Sequence, residues 1–270
     1  MKHRNHRRAA AAALMAASVI SIASCGPAAT DSGATNTRSA SPSPTKPKDA
    51  FDGLTGPQIS AKAKTALKDA TSLRVTGDAP DGRGGTISID MAMDTKGSCR
   101  GTIVQQHAGT IEMIKHRSTV FMKGDEKFWR ASLAAGKKKP TARQADAFVE
   151  IVKGRWMKVD KKTARAMTRK DMCDLGTLAD KLGDDSATDT TTTRGADVTR
   201  AGQALAVIYD RDGNEVTTIH VAKTGKPYPV EITHTGGTEP GSLKLTDFDK
   251  PVDTTPPPAD QVIDTNKLRR

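Results

Sequence analysis

Ile87-Ser88-Ile89-Asp90-Met91-Ala92-Met93-Asp94 is the stretch on which the fold class turns. Its large apolar residues recur at every second position, with polar or small residues between them. Successive side chains of a strand point to opposite sides, so this period predicts a strand with one buried face. Working outward, further strands are expected near 100–106, 109–116 and 118–123, separated by turns with Gly, Lys or Ser, and at 155–159. Residues 204–209 and 216–222 flank Asp210-Arg211-Asp212-Gly213-Asn214-Glu215, a hairpin turn built on Asp-Gly. Tyr228, Val230 and Ile232 alternate with Pro229, Glu231 and Thr233, and Leu243 and Leu245 close the series. The Pro-rich segment 251–258 is expected to end regular structure.

Helical spacing interrupts the strands three times. Ile59, Ala63, Ala66, Leu67 and Ala70 share one face, with lysines opposite and Pro57 suited to the first turn. Thr141 and Gln144 form a capping-box pattern before Ala145, Phe148, Val149 and Val152. Asp171 can cap a helix whose Leu175, Leu178 and Leu182 make a stripe, with Gly183 as its stop. Residues 184–194 are polar and Thr-rich and read as a mobile loop. The sum is an α+β domain over 57–258, an antiparallel sheet with helices gathered on one face. A C-terminal tail, 259–270, follows it.

The N-terminus reads as an address. Lys2, Arg4, Arg7 and Arg8 precede an apolar run at 9–22, as long as a signal-peptide core and too short to span a bilayer. The run ends in Ile22-Ala23-Ser24-Cys25-Gly26. This resembles the lipobox of bacterial lipoproteins: an aliphatic residue, two small ones, then a Cys whose sulfur takes a diacylglyceryl (palmitate-type) thioether. Residues 1–24 are thus a lipoprotein signal peptide and Cys25 the lipid anchor, on the extracytoplasmic face of the cell membrane. Residues 26–56, rich in Ala, Thr, Ser, Pro and Gly, cannot bury enough apolar surface to offset chain entropy and read as a disordered tether. As a coil, about 30 such residues span roughly 30 Å.

Composition narrows the function. The 270 residues carry a formal charge of +11, with 36% hydrophobic and 3% aromatic residues. Losing the four basic leader residues takes 42 basic residues to 38 against 31 acidic ones, a net of +7. Much of the basicity is therefore targeting charge, and a nucleic-acid partner is not expected. The remaining charge suits an anionic membrane surface or wall polymer, or simply solvates the surface. Lys137-Lys138-Lys139, the densest run, reads as a solvated loop. After the leader nothing approaches the ~18 consecutive apolar residues of a membrane span.

No catalytic chemistry can be nominated. The chain has no P-loop, dinucleotide fingerprint, His-Glu-x-x-His or Gly-x-Ser-x-Gly. Gly82, Gly84 and Gly85 lack the Lys-Ser/Thr of a phosphate loop. His107, His116, His220 and His234 fall on or beside separate strands without a helical pair. Asp210, Asp212 and Asn214 imitate the start of a calcium loop, but Gly213 stands at its fourth position rather than its sixth. The chain reads as a non-enzyme with no metal and no cofactor. Cys99 and Cys173 remain after lipidation, and outside the cytoplasm such a pair points to a disulfide. Two free thiols, or a redox pair, are the alternatives; a redox pair usually sits as Cys-x-x-Cys, absent here. Seven methionines survive processing, and Met91, Met93, Met113, Met122 and Met157 fall on strands beside Ile and Val. Unbranched, polarizable Met either fills an ordinary core or adapts to ligands of variable shape.

Several motifs carry a family resemblance. The lipobox and tether are joined by Ser72-Leu73-Arg74-Val75-Thr76-Gly77, Gly101-Thr102-Ile103, Met122-Lys123-Gly124-Asp125 with Phe128-Trp129, 154–159, and Thr224-Gly225-Lys226-Pro227-Tyr228-Pro229. Over about 57–258 the chain resembles actinobacterial cell-envelope lipoproteins of the LppX/LprAFG family, within the LolA-like fold. Phe121 stands where relatives are expected to carry Tyr. The resemblance implies a curved antiparallel half-barrel with helices over its concave face. It also implies an apolar cavity between them that takes a lipid or glycolipid. Ile87, Ile89, Met91 and Met93 are the clearest candidate lining, with Met113, Met122 and Ile232 as neighbours. Two function classes follow: a lipid-binding carrier, or a non-catalytic structural or sensory envelope module that binds a partner protein or polymer. A continuous apolar cavity of ~300 Å³ or more favours the first and a filled core the second.

A single acyl chain holds a protein only marginally at a bilayer, whereas two hold it stably. Cys25→Ala should therefore move the protein from the membrane to the soluble fraction. Retention in the pellet after a high-salt wash would contradict the anchor.

Overall fold

The computed structural model describes residues 49–81, 84–136, 138–159, 173–181, 192–237 and 240–265. The leader, Cys25 and the chain to residue 48 lie outside these, as do Asp171, Leu182 and Gly183. Helix α1 (Gly56–Lys68) comes first, then a meander of β1 (Ser72–Pro80), β2 (Thr86–Asp94), β3 (Cys99–Gln105), β4 (Gly109–His116) and β5 (Thr119–Gly124). Helices α2 (Glu126–Ala135) and α3 (Ala142–Val152) lead into β6 (Trp156–Val159), and α4 (Leu175–Lys181) follows. The last third holds β7 (Thr193–Arg194), β8 (Val198–Arg200), β9 (Gln203–Asp212), β10 (Glu215–Ala222), β11 (Pro229–Thr235), β12 (Gly241–Thr246) and β13 (Val262–Asp264).

All thirteen strands belong to one curved sheet, in the order β13-β6-β5-β4-β3-β2-β1-β12-β11-β10-β9-β7, with β8 also on β9. The alternation at 87–94 is realised as one face of β2. Met91 and Met93 are buried and Ile87 and Ile89 half-buried against the same core. Bending a sheet crowds the side chains on its inner face, and glycine relieves that crowding. Gly77, Gly101 and Gly124 all stand on the inner face, in β1, β3 and β5. A Cβ on Gly101 would sit 2.1 Å from the Asp90 carbonyl oxygen, and one on Gly77 2.0 Å from that of Ser242. Gly77 also has φ +143°, which a side chain would strain.

The helices start where their caps dictate. Thr55 and Gln58 close a capping box on α1, as Thr141 and Gln144 do on α3. Helix α2 is a helix that periodicity missed. It follows β5 after the single residue Asp125, whose carboxylate accepts from the Phe128 N–H at 2.7 Å. That N-cap Asp was the readable signal. The helix carrying Leu175 and Leu178 begins at Asp174, whose carboxylate accepts from the Thr177 N–H at 3.2 Å.

Three expectations are corrected. Thr193 and Arg194, read as loop, form β7 on β9. Phe51, read as tether, is 2% exposed among Ile59, Ala63, Ile208 and Val221. The Arg194 guanidinium donates to the Phe51 and Leu54 carbonyls at 2.6 and 3.1 Å and fastens that segment. The sheet is also not wholly antiparallel, because β13 runs parallel to β6. Residues 247–261 cross from β12 over the outer face, where Asp253 meets Arg100 at 3.2 Å and the Thr254 hydroxyl meets His116 Nδ1 at 3.0 Å. The crossing delivers β13 to the far edge in the parallel sense. Val262 packs there with Ile114, Phe121 and Trp156.

Cys99, on the inner face of β3, is bonded to Cys173 just before α4, with Cα atoms 5.4 Å apart and a sequence separation of 74. Closing such a loop is worth about 4 kcal/mol in the chain-entropy model, an upper figure. Peptide mapping without reductant should recover one linked pair, and Cys99→Ser with Cys173→Ser should lower stability by up to that amount. Two thiols that alkylate freely in unreduced native protein would contradict it.

Candidate ligand-binding site

Register turns scattered residues into rows. Leu245, Val75, Met91, Gly101, Met113, Met122, Met157 and Ile263 stand side by side across eight strands from β12 to β13. Four of the eight are methionines, with Gly101 between Met91 and Met113. Beside this row runs another, Ile208, Ile219, Ile232, Leu243, Gly77, Ile89, Ile103, Ile111 and Gly124. All seven candidate lining residues belong to or pack on one apolar cluster: Met91, Met93, Met113, Met122 and Ile232 inside it, Ile87 and Ile89 at its edge. Val75, Ile103, Ile111 and Leu245 complete the face. Each lies in an alternating stretch, but only the pairing register shows that they are neighbours.

The helices close this face. Helix α2 puts Phe128 and Trp129 over β4 and β5, and Trp129 meets Phe148 of α3 edge-on at 5.8 Å. The Trp129 indole N–H donates to the Gly124 carbonyl at 3.0 Å. On the other side Ala63 and Leu67 of α1 and Ala179 of α4 face Ile219 and Ile232 across a void of about 20 Å³, room for about one water. Met91, Met113 and Met122 are each 3% exposed or less. The described face is packed.

A polar cluster surrounds Tyr228. Tyr228 stacks flat on Phe248 at 3.9 Å, and its hydroxyl donates to Asp249 at 2.7 Å. The Lys226 ammonium, 2.8 Å away, with the Thr71 N–H and the Tyr228 hydroxyl, holds the Asp249 carboxyl well below the usual range. Lys226 is pushed up in turn by the same carboxylate. Burial raises the Tyr228 phenol.

The outer face carries cross-strand ion pairs beside the apolar cluster of Ile114, Phe121, Trp156 and Val262. Arg74 grips Asp90 with two bonds of 2.6 Å, which keeps that carboxyl low, and Lys123 pairs with Glu112 at 3.0 Å. A cleft of about 410 Å³ lies there under the C-terminal crossing, lined by Arg74, Asp90, Arg100, Lys250 and Asp253. His220 is buried. It sits at a bulge in β10, 4% exposed, with Nδ1 lacking a hydrogen-bond partner and 3.6 Å from a Glu231 oxygen that Arg200 also holds. Burial first, then Arg200, pulls its pKa down, while Glu231 opposes them. Of the other histidines, His116 bonds Thr254 and His234 bonds Thr217. Asp210 and Asp212 end β9, and Gly213, at φ +56°, and Asn214 form the tip of the β9–β10 hairpin.

No family model and no curated protein sequence matches this chain. Among solved structures it is similar to LprF from Mycobacterium bovis, 12% identical over 75% of this chain and 96% of that one, with a TM-score of 0.52. The lipoprotein LppX from Mycobacterium tuberculosis is 12% identical over 73% of this chain and 98% of its own, with a TM-score of 0.45. A LolA superfamily protein from Nitrosomonas europaea aligns over 73% and 94% at 7% identity and a TM-score of 0.24. At these identities the likeness is one of fold: the chain is folded like LprF.

A group whose pKa is lower folded than unfolded contributes stability above its ordinary value, and loses it as pH falls through the folded value. For His220 the ordinary value is 6.5, so urea midpoints should fall as pH drops from 7.5 to 5. His220→Gln should flatten that slope. The lowered carboxyls of Asp49, Asp90 and Asp249 act only below 3.8 and do not share this window. An unchanged slope in the variant would contradict the assignment.

Proposed function

We propose that this is a lipid-anchored, extracytoplasmic, non-catalytic protein that takes an amphipathic lipid between its curved sheet and the helices on the concave side. One observation carries the reading. Met91, Met113, Met122 and Met157 share a single row across the inner face. Leu, Ile and Val give a core well-defined rotamers, whereas Met re-forms around a guest. The family resemblance supports the ligand class, since those lipoproteins carry lipids and glycolipids. The leader and Cys25 support the anchor and the location.

Binding requires movement. Small-molecule sites occupy about 300–1,000 Å³, against a void of about 20 Å³ between α1, α4 and the sheet. The part best suited to move is α4, seven residues long and held to β3 through Cys173. A second reading has its own observation. The packed face favours a structural or sensory module that binds a partner protein or wall polymer with a filled core.

The two readings separate by mass spectrometry of organic extracts from the Cys25→Ala protein, which carries no covalent lipid. The carrier reading expects a co-purifying lipid in near-stoichiometric amount. Met91→Asp or Met113→Asp puts an unpaired carboxylate on an apolar face at a cost of several kcal/mol. These variants should lose the lipid while circular dichroism stays native. Extracts without lipid, together with unfolding of both variants, would overturn the carrier in favour of the filled core.

A further inference from the structure

Positive charge is concentrated in one part of the fold. Residues 126–155, which make α2, α3 and their connection, hold eight basic residues and three acidic ones, a net of +5. Residues 156–170, which follow, hold six basic residues and one acidic one, so 126–170 nets +10 while the whole chain from Cys25 onward nets +7. Several cations elsewhere are engaged: Arg74 with Asp90, Lys68 with Asp180, Lys226 with Asp249, and Lys223 with Asp49 and Asp197. On the hairpin, Arg130 takes up two of the three carboxylates, Glu126 and Asp146, each at 2.8 Å. Lys138, Lys139, Arg143, Lys153 and Arg155 are exposed and have no ion pair among the described residues. Among them stands Ile151, 55% exposed, with exposed Ala147 one turn before it on α3.

We propose that the α2–α3 hairpin is a docking surface for an anionic lipid bilayer. Cations near an anionic leaflet are drawn to it, and an apolar side chain at their centre can enter the headgroup boundary. The exposed Ile151 favours a bilayer over a soluble polyanion, which offers it nothing apolar. The proposal rests on the anchored reading, which holds this surface close to a membrane. Cys25 and Asp49 are 24 peptide steps apart, at most roughly 80 Å of chain, so the anchor does not prevent the hairpin from reaching lipid. Tethering raises the effective concentration, so a surface of weak intrinsic affinity suffices to orient the domain.

The test uses the Cys25→Ala protein freed of residues 1–24, sedimented with vesicles of phosphatidylglycerol and phosphatidylcholine or of phosphatidylcholine alone. Binding is expected to the anionic vesicles only, and should weaken at high salt. Lys138→Ala with Lys139→Ala should weaken it roughly tenfold or more, and Ile151→Ser should weaken it several-fold. Lys62→Ala with Lys244→Ala removes the same charge elsewhere and should leave binding unchanged. Thermal melts check that each variant is folded. Equal loss in the two double variants, or no affinity for anionic vesicles, would overturn the proposal. So would an unaltered Ile151→Ser variant that binds soluble polyglycerol phosphate as well as vesicles, which would mean a wall polymer instead. Because the anchor is absent from this assay, its failure leaves the Cys25 assignment to the fractionation experiment.

Discussion

Crowding on the inside of a curved sheet is the constraint from which the rest of this structure follows. Bending brings inner-face side chains toward one another, and a sheet with a large residue at each such position would straighten or lose its packing. This chain answers with glycines on alternate strands, Gly77, Gly101 and Gly124. It flanks Gly101 with the unbranched Met91 and Met113, while Gly77 stands between Leu243 and Ile89 and Gly124 beside Ile111. Gly124 serves a second purpose. A Cβ there would lie 2.4 Å from the Phe128 ring, so its absence is what lets α2 settle on the sheet.

The cover over that face is thin and differently fastened at each part. Helices α2 and α3 are held by Phe128, Trp129 and Phe148, and α1 by Ile59, Ala63 and Leu67. The stretch before α1 is clamped by Arg194 and by Lys223, whose ammonium lies between Asp49 and Asp197. Those carboxylates raise the Lys223 pKa, and the lysine in turn lowers that of Asp49. Helix α4 is joined to β3 by the covalent link at Cys173, packs through Leu175, Leu178 and Ala179, and pairs Asp180 with Lys68 of α1. Apolar burial is non-directional and survives rearrangement, whereas the link fixes one end.

Charge is sorted between the two sides of the molecule. On the outer face, cross-strand pairs such as Arg74 with Asp90 and Lys123 with Glu112 neutralise one another, and the C-terminal crossing adds Asp253 to Arg100. Pairs of this kind, at exposed positions, contribute little to stability and more to keeping the face soluble. The hairpin of α2 and α3 breaks the rule by leaving five exposed cations without ion pairs among the described residues.

Local pattern made much of this legible. The alternation at 87–94, the capping boxes of α1 and α3, the Asp-Gly hairpin and the Cys pair each depend on residues a few positions apart, or on a pair too scarce to be ambiguous. Motifs spread along the chain carried the resemblance that the likeness to the LprF fold agrees with. What the sequence could not show was long-range. That Met91, Met113, Met122 and Met157 form one row depends on strand register, which pairing across turns and a helical insert decides. Phe51 and β13 were hidden in segments whose composition reads as tether and tail, because a short apolar stretch becomes ordered only when a distant surface receives it. The burial of His220 likewise comes from what packs over β10, not from its neighbours in sequence. The sequence by itself determined which residues prefer strand, helix or turn and which face of each is apolar, since those preferences are local. Only the tertiary structure decided which faces meet and how tightly the interior closes, because both are set by contacts between segments far apart in the chain.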